Sequence, residues 1–385
     1  MKIEICLGSV RFPFHLSTDA LDELVERLLQ LSASRYVIVC DSNVAPLYGK
    51  DIVNRLSGRA VADLLVHGAG EQHKNLQTVN DLMETALRSG TDRASVIVAV
   101  GGGVTGNIAG LMAALMFRGI RLVHVPTSLV AMLDSVYSLK QAINSGLGKN
   151  LIGTFYAPEE VLADTSVLRT LPRREMISGM CEVVKNALAI RPQMTDLLLN
   201  SLQPDSNYAD EALRPIIVES LAAKKMVVAD DEQECRAGMA LEYGHTVGHA
   251  LEYTALGALS HGEAVGLGMI VAAEVSHRLG HLDEGTLALH RDLLSRAGAT
   301  CTVPAGIDLD EVAHRLRFDN KRGYLGLTGD AYAMVLLGAQ GQPLWTDSRP
   351  LVEVPGALVR EVLAELSTPE ELVAPPSLMP TADNV

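Results

Sequence analysis

Residues 241–253 read LEYGHTVGHALEY and place His245 and His249 four positions apart. On a helix that spacing puts both imidazoles on one face. There they can hold a divalent ion, touch a substrate, or sit in a core with their hydrogen bonds met. A catalytic zinc takes three protein ligands and leaves one position open. Two more groups of suitable type stand in the same half of the chain: Glu182 in GMCEVVKNA, and His261 in LSHGEAVG, just ahead of a helical stretch. Glu182 and Lys185 are three apart in an otherwise apolar helix. A carboxylate or an ammonium buried alone is costly, so these two must be paired or put to use. The spacing leaves open which of His245 and His249 is a ligand.

A second chemistry is written in VAVGGGVTGNIAG (98–110), which runs strand, glycines, helix. Gly101, Gly103 and Gly106 fit the pattern that lets a backbone approach a pyrophosphate at a helix N-terminus; a tight turn without a ligand fits it too. The usual dinucleotide fold puts an acid on the ribose about twenty residues further on, but RLVHVPTS there has none. An acid instead ends the earlier strand, Asp41 in YVIVCDSN with Asn43 beside it, so any adenosine ribose is expected to be read from a strand before the loop. Glu71 and Lys74 in GAGEQHKNL form a further polar cluster. So do Thr127, Ser128, Asp134, Lys140, Asn144, Lys149 and Asn150 in residues 126–150. Lysines and amides among glycines suit a phosphate site, or a solvated loop.

The elements that must position these groups fall into two halves. RYVIVC (35–40), SVIVAV (95–100) and RLVHVPTS (121–128) are continuous β-branched runs that read as buried parallel strands. Helical patterns lie between them at 21–32 and 75–90. Alternating strands and helices imply a doubly wound, mostly parallel sheet. From about residue 160 helical patterns dominate, at 174–190, 211–231, 241–253 and 262–280, with Pro172 placed where a helix would start. The expected division is an α/β domain over 1–160, a mostly α-helical domain over 161–366, and a proline-rich, patternless tail over 367–385 that reads as disordered.

Composition narrows the function. With 385 residues the chain is long enough for two cores. A formal net charge of -14 disfavours nucleic acid, which needs a basic surface. The five cysteines show no CxxC spacing, which suits reduced thiols in a cytoplasm and argues against thiolate zinc. Cys181 reads as packing. The N-terminus lacks the order of a secretory signal, and the apolar run 111–117 is too short to span a bilayer, so no membrane role is expected.

Taken together, GGGVTGNIAG, the MFRG after it, DSVYSLKQAINSGLGKN, TLPRRE, GMCEVVKNALAI, EYGHTVGHA and SHGEAVGLGM resemble the sugar phosphate cyclases, whose best-known member is 3-dehydroquinate synthase. The likeness runs in order from about residue 35 to 325. It implies a Rossmann-like NAD-binding domain followed by a helical metal domain. By the resemblance, Glu182, His245 and His261 would hold Zn²⁺ or Co²⁺. His249, Lys140, Asn150 and Lys321 would face the substrate phosphate. Arg118 would reach the phosphate of a neighbouring subunit, which implies a homodimer. Asp41, Asn43, Glu71, Lys74, Gly102, Gly103, Thr127, Ser128, Asp134, Lys149, Thr170, Leu171 and Glu175 would line NAD. Lys185 and Lys224 would contact substrate hydroxyls.

One departure narrows the substrate. Dehydroquinate synthases read LRNLLNFGH where this chain reads AGMALEYGH, so the arginine that grips a carboxylate there is Gly238 here, and an asparagine is Glu242. A carboxylate would lose its bidentate partner and gain a repulsive one. Asn107 also replaces an aspartate. The expected substrate is therefore a sugar phosphate without a carboxylate; EYGH, SLKQAIN and MFRGI resemble the members of the family that act on D-glucose 6-phosphate, which implies conversion to a carbocycle by oxidation, phosphate elimination, reduction, ring opening and aldol closure. Lys140, Lys185, Glu242 and His249 are the expected catalytic groups, with Glu242 or the departing phosphate as base. The competing expectations are a valiolone-forming cyclase or dehydroquinate synthase, a metal-dependent polyol dehydrogenase that releases NADH, and a non-catalytic relative.

Overall fold

The computed structural model describes residues 1–146 and 148–367. Its centre is a seven-stranded sheet of order β1-β2-β9-β6-β5-β3-β4. The strands are β1 (Lys2–Leu7), β2 (Val10–Ser17), β3 (Tyr36–Asp41), β4 (Ala62–His67), β5 (Val96–Gly101), β6 (Arg121–Pro126) and β9 (Glu160–Asp164). Only the β1–β2 hairpin is antiparallel; β2, β9, β6, β5, β3 and β4 run parallel. Helices α1 (Leu21–Gln30), α2 (Lys50–Leu56), α3 (Leu76–Arg88) and α4 (Gly103–Leu115) cover it.

Strand periodicity explains why β3 and β5 are apolar throughout. Tyr36, Ile38, Val96 and Val98 point to the face where Leu24, Leu28, Ile52 and Leu56 of α1 and α2 pack. Val37, Val39, Ile97 and Ala99 point to Val79, Leu82, Ile108 and Met112 of α3 and α4. Both faces being covered leaves no polar position. From β3 the chain goes outward to β4, then back across to β5, so the strand order reverses between β3 and β5. Ligands of such sheets bind in the crevice beyond the strand C-termini at that point. Asp41 ends β3 there, and the glycine loop follows β5 there.

A second hairpin, β7 (Lys140–Ser145) with β8 (Gly148–Phe155), leaves the same edge and packs β7 against α4. The helical half follows: α5 (Arg173–Ala189), α6 (Thr195–Ser201), α7 (Asp210–Val228), α8 (His245–Thr254), α9 (His261–Arg278), α10 (Glu284–Arg296), α11 (Leu309–Leu316) and α12 (Gly356–Leu366). Helix α5 is buried all round, from Met176 to Ala189, as only a central helix can be. Its core runs on to Ile5, Phe12, Phe14 and Val161 of the sheet, so one apolar mass joins the two halves.

Two glycines set α8 against α9. Gly244 is left-handed at φ 81°. A side-chain carbon at Gly268 would stand 1.9 Å from the Gly244 carbonyl, so the helices approach to backbone contact. The stretch 241–253 is consequently not one helix. A 3₁₀ segment covers Ala237–Glu242, Gly244 breaks it, and α8 starts at His245. The hairpins β1–β2 and β7–β8 and strand β4 were not expected from the sequence. The division expected at residue 160 falls at the first residue of β9, and the expected tail beyond Ser367 lies outside the described residues.

Candidate active site

Glu182 projects from the middle of α5, His245 opens α8 and His261 opens α9. Ser260 and Glu263 form a reciprocal cap that fixes where α9 begins, and with it His261. One ligand atom from each of Glu182, His245 and His261 can be chosen so that all lie within 4.8 Å of one another. Glu182 Oε1 is 3.7 Å from His245 Nε2 and 3.4 Å from His261 Nε2. His249 is not in this set; its ring lies 5.2 Å from that of His245 and 6.0 Å from that of His261. Geometry thus groups His245 with Glu182 and His261, and leaves His249 beside them.

The arrangement fits a divalent ion. Glu182 is 1 % exposed, and although Lys185 Nζ lies 2.5 Å from Oε2, neither carboxylate oxygen receives a hydrogen bond of acceptable geometry. Orphaned buried acceptors call for a partner. His245 Nδ1 faces the Tyr243 carbonyl at 3.2 Å, so Nδ1 carries the proton and Nε2 offers its lone pair towards Glu182. Burial, reinforced by Lys185, pushes His245 down to about 4 and keeps it neutral, as a ligand must be. Burial alone would raise Glu182, but Lys185, His261 and His245 hold it well below the usual carboxylate range. For His261 burial opposes the charge, yet the neighbouring carboxylates of Glu182 and Glu252 outweigh it and raise the group to about 10.

Around this cluster Lys140, Lys224 and Lys321 are each held by an acid. Lys321, 1 % exposed, reaches Glu242 Oε2 at 3.0 Å, Asp319 Oδ1 at 3.0 Å and Asn320 Oδ1 at 3.1 Å. Lys140 donates to Glu234 at 2.6 Å, and Lys224 to Asp134 Oδ1 at 2.6 Å and to its carbonyl at 2.7 Å. Burial works against the Lys140 ammonium, but Glu234 and Glu242 raise it. Burial would likewise raise Glu242; Lys321, with His245, His249 and Lys140, holds it well below its ordinary range. His249 is pushed by burial, then by His245, down to about 3 and is neutral. Lys140, Glu242, Lys321 and His249 thus share one electrostatic field beside the ligand cluster.

The glycine loop faces the same space. A side-chain carbon at Gly102 would meet Ser128 Oγ at 3.3 Å, and one at Gly103 would meet Ser135 Oγ at 3.6 Å. The turn between those serines carries Asp134, whose carboxyl feels Lys224, Lys185 and Glu182. Thr127 donates its N–H to the Gly101 carbonyl. Asp41 Oδ1 accepts the N–H groups of Asn43 and Val44 at 2.8 and 2.9 Å, which shapes the loop after β3. Lys74 is buried and donates to Asn150 at 2.6 Å; Asn144 donates to Glu71 at 2.8 Å. Thr170 bonds Tyr48 at 2.5 Å, and Leu171 and Glu175 follow at the start of α5.

Arg118 is not brought to this cluster. It lies exposed beyond the far end of α4, a helix of 13 residues that rises about 20 Å. Three carboxylates escaped the sequence reading: Glu234, Asp319 and Glu252. Glu252 had a signal, since it stands seven after His245 on the same helix face. At Gly238 a side-chain carbon would lie 3.0 Å from Asp231 Oδ2 and from Glu234 Cβ and Cγ, so Glu234 fills the space a larger residue would need.

A parallel sheet with a crevice at its switch point and a Glu-His-His cluster facing it define a nucleotide- and metal-dependent class. Comparison with known proteins agrees. The 3-dehydroquinate synthase N-terminal model matches residues 64–178, and the C-terminal model matches 179–322. The chain belongs to the 3-dehydroquinate synthase family of sugar phosphate cyclases. It is 65% identical over 379 residues to a 2-deoxy-scyllo-inosose synthase of Micromonospora echinospora, covering 97% of this chain and 96% of that one. A crystal structure of 2-deoxy-scyllo-inosose synthase complexed with carbaglucose-6-phosphate, NAD⁺ and Co²⁺ superposes with TM-score 0.90 at 37% identity, over 95% of this chain and 100% of that one. A 2-epi-5-epi-valiolone synthase from Streptomyces hygroscopicus, with NAD⁺ and Zn²⁺ bound, gives 0.80 at 25% identity, over 94% of this chain and 98% of that one.

Proposed function

We infer that the chain is a cyclising carbon–oxygen lyase that converts D-glucose 6-phosphate to 2-deoxy-scyllo-inosose and inorganic phosphate, a step towards 2-deoxystreptamine aminoglycosides. The observation that carries this is the Glu182–His245–His261 cluster set against a lysine cradle containing Glu242, with Gly238 beside it. When bound, NAD supplies a redox couple that is used and regenerated, and the divalent ion supplies Lewis acidity. Glu182, His245 and His261 would hold the ion. The crevice between β3 and β5 would hold NAD, lined by Asp41, Asn43, Glu71, Lys74, Gly102, Gly103, Thr127, Ser128, Asp134, Lys149, Thr170, Leu171 and Glu175.

The residues divide the remaining work by charge. Lys140, Asn150, His249 and Lys321 hold the phosphate; Lys185 and Lys224 hold hydroxyls. Lys321 is shared before substrate arrives, between Glu242 and Asp319. A phosphate dianion competes for that ammonium and brings negative charge near Glu242. Both effects raise the proton affinity of Glu242, so it becomes a competent base for the C5 proton only with substrate in place. Elimination then breaks the C6–O bond, with the leaving charge met by Lys140 and Lys321. A substrate carboxylate would find no arginine at position 238 and would face Glu234 and Glu242, which disfavours the dehydroquinate-forming reading.

We also propose that the protein acts as a cytoplasmic homodimer, with Arg118 serving the neighbouring subunit. Arg118, Leu115, Leu151, Ile152 and Phe155 are all exposed, and Gly119 and Tyr156, beside Arg118 and Phe155, are in contact. An apolar patch of this kind with one arginine suits a subunit interface. Among the described residues no helix is long and apolar enough to cross a membrane. The test of the activity is incubation with glucose 6-phosphate, NAD⁺ and Co²⁺ or Zn²⁺. Inorganic phosphate and a carbocyclic ketone should form without net NADH; stoichiometric NADH without phosphate would mark a polyol dehydrogenase instead.

A further inference from the structure

Glu252 belongs neither to the ligand cluster nor to the phosphate cradle, yet it touches the edge of both. It sits on α8, and its side chain is 14 % exposed. Oε2 lies 3.1 Å from His261 Nδ1, and Oε1 accepts from Lys149 Nζ at 2.6 Å. Lys149 is on β8, in the hairpin that carries Lys140 and Asn150, and its Nζ is also 3.8 Å from Glu71 Oε1. Glu71 in turn accepts from Asn144 of β7. A continuous polar path therefore runs from the crevice edge, through Lys149 and Glu252, to His261.

An imidazole can present only one lone pair. The nitrogen bonded to a carboxylate keeps its proton, which turns the other nitrogen to the ion and raises its basicity. At His261 that other nitrogen is Nε2, the one that faces Glu182. We propose that Glu252 is a positioning residue that sets His261 for metal binding, and that the Lys149–Glu252 contact ties metal affinity to the hairpin bordering the nucleotide crevice. This rests on the reading of Glu182, His245 and His261 as the metal site. It makes metal and NAD binding reciprocal: each should tighten the other by the same factor.

The experiment is a Co²⁺ titration of chelator-treated full-length protein, followed by the visible absorption of bound Co²⁺ against a competing chelator. It is run with and without NAD⁺ and without sugar phosphate. Glu252→Gln should weaken Co²⁺ binding about 10–100-fold while the protein stays folded by circular dichroism. In the wild type NAD⁺ should tighten Co²⁺ by about fivefold or more, and Lys149→Met should cut that effect to less than about twofold. Three outcomes overturn the proposal: Glu252→Gln affinity within twofold of wild type, no NAD⁺ effect in the wild type, or an undiminished NAD⁺ effect in Lys149→Met. Lys149 is 23 % exposed, so its variant decides alone if Glu252→Gln does not fold. His245→Ala separates the two levels. If it binds Co²⁺ as wild type does, the metal site itself is misplaced; if it loses Co²⁺ while Glu252→Gln does not, only the role of Glu252 falls.

Discussion

Replacing Glu242 by glutamine removes one negative charge and almost no volume from the cradle. Its structural cost can be worked from the surroundings of Lys321. Leaving a buried ammonium unpaired costs about 3–5 kcal/mol. Here Lys321 keeps Asp319 Oδ1 at 3.0 Å and Asn320 Oδ1 at 3.1 Å, so it is not orphaned. The loss in stability should be no more than about 1 kcal/mol, the scale of one hydrogen bond exchanged for another. The catalytic cost is larger. Losing a positioned base lowers rate by about 10²–10⁴, or about 3–5 kcal/mol in the barrier. With one competitor for Lys321 gone, phosphate binding should be unchanged or tighter. The assay is phosphate release under single-turnover conditions with saturating NAD⁺ and metal, alongside NAD⁺ affinity and Tm. The expected result is a fall of at least a hundredfold in release with KM unchanged or lower. Release within twofold of wild type would remove Glu242 from the chemistry, and a collapse in Tm would show that its role is structural.

Three further outcomes follow from the same geometry. Gly244→Ala must adopt φ 81° and place its new carbon 2.6 Å from Met269 Cγ, so it should cost about 2–4 kcal/mol in urea unfolding and loosen Co²⁺ binding by shifting α8 on α9. His124 and His290 are both pushed down to about 4, chiefly by burial, against an ordinary 6.5. Their folded forms bind fewer protons than the unfolded chain between those values. Stability should therefore be full above pH 6.5 and fall as pH drops towards 4, by up to about 3 kcal/mol for each histidine, with His290→Gln flattening part of the slope in a pH series of urea melts. Chelator treatment should abolish phosphate release and added Co²⁺ or Zn²⁺ restore it, whereas Glu182→Gln should respond to neither, because its amide cannot supply the missing charge.

The legible parts of this chain were those in which one physical demand dominates. Strands β3, β5 and β6 are buried on both faces, so they read as continuous apolar runs. The glycine turn and α4 followed from their order after β5. Strand β2 (VRFPFHLS) alternates inward and outward and could have been found; β8 is mostly exposed and carries glycine at its first residue and again at Gly153, which hides its pairing. The break at Gly244 was obscured because both helix-spaced histidines lie after it and carry no information about the residues before it. In the site, Glu182, Lys140, His245, His249 and His261 stood out by residue type and spacing, Lys224 and Lys321 only through the family resemblance, whereas the carboxylates that pair with the lysines were mostly hidden. Glu234 reaches Lys140 across 94 residues, and Glu242 reaches Lys321 across 79. Such pairings depend on the docking of the hairpin and of the segment after α11, which no local pattern encodes. Glu252 was the exception, since its helical spacing from His245 was visible.

The central claim is that one divalent ion, the nucleotide crevice and the lysine cradle share a single space. The most direct measurement is anomalous diffraction at the cobalt edge from crystals grown with NAD⁺ and Co²⁺. The account predicts one strong peak coordinated by Glu182, His245 Nε2 and His261 Nε2, with nicotinamide density opening onto it from the glycine turn. A peak at other residues, or dinucleotide density on the opposite edge of the sheet, would contradict it.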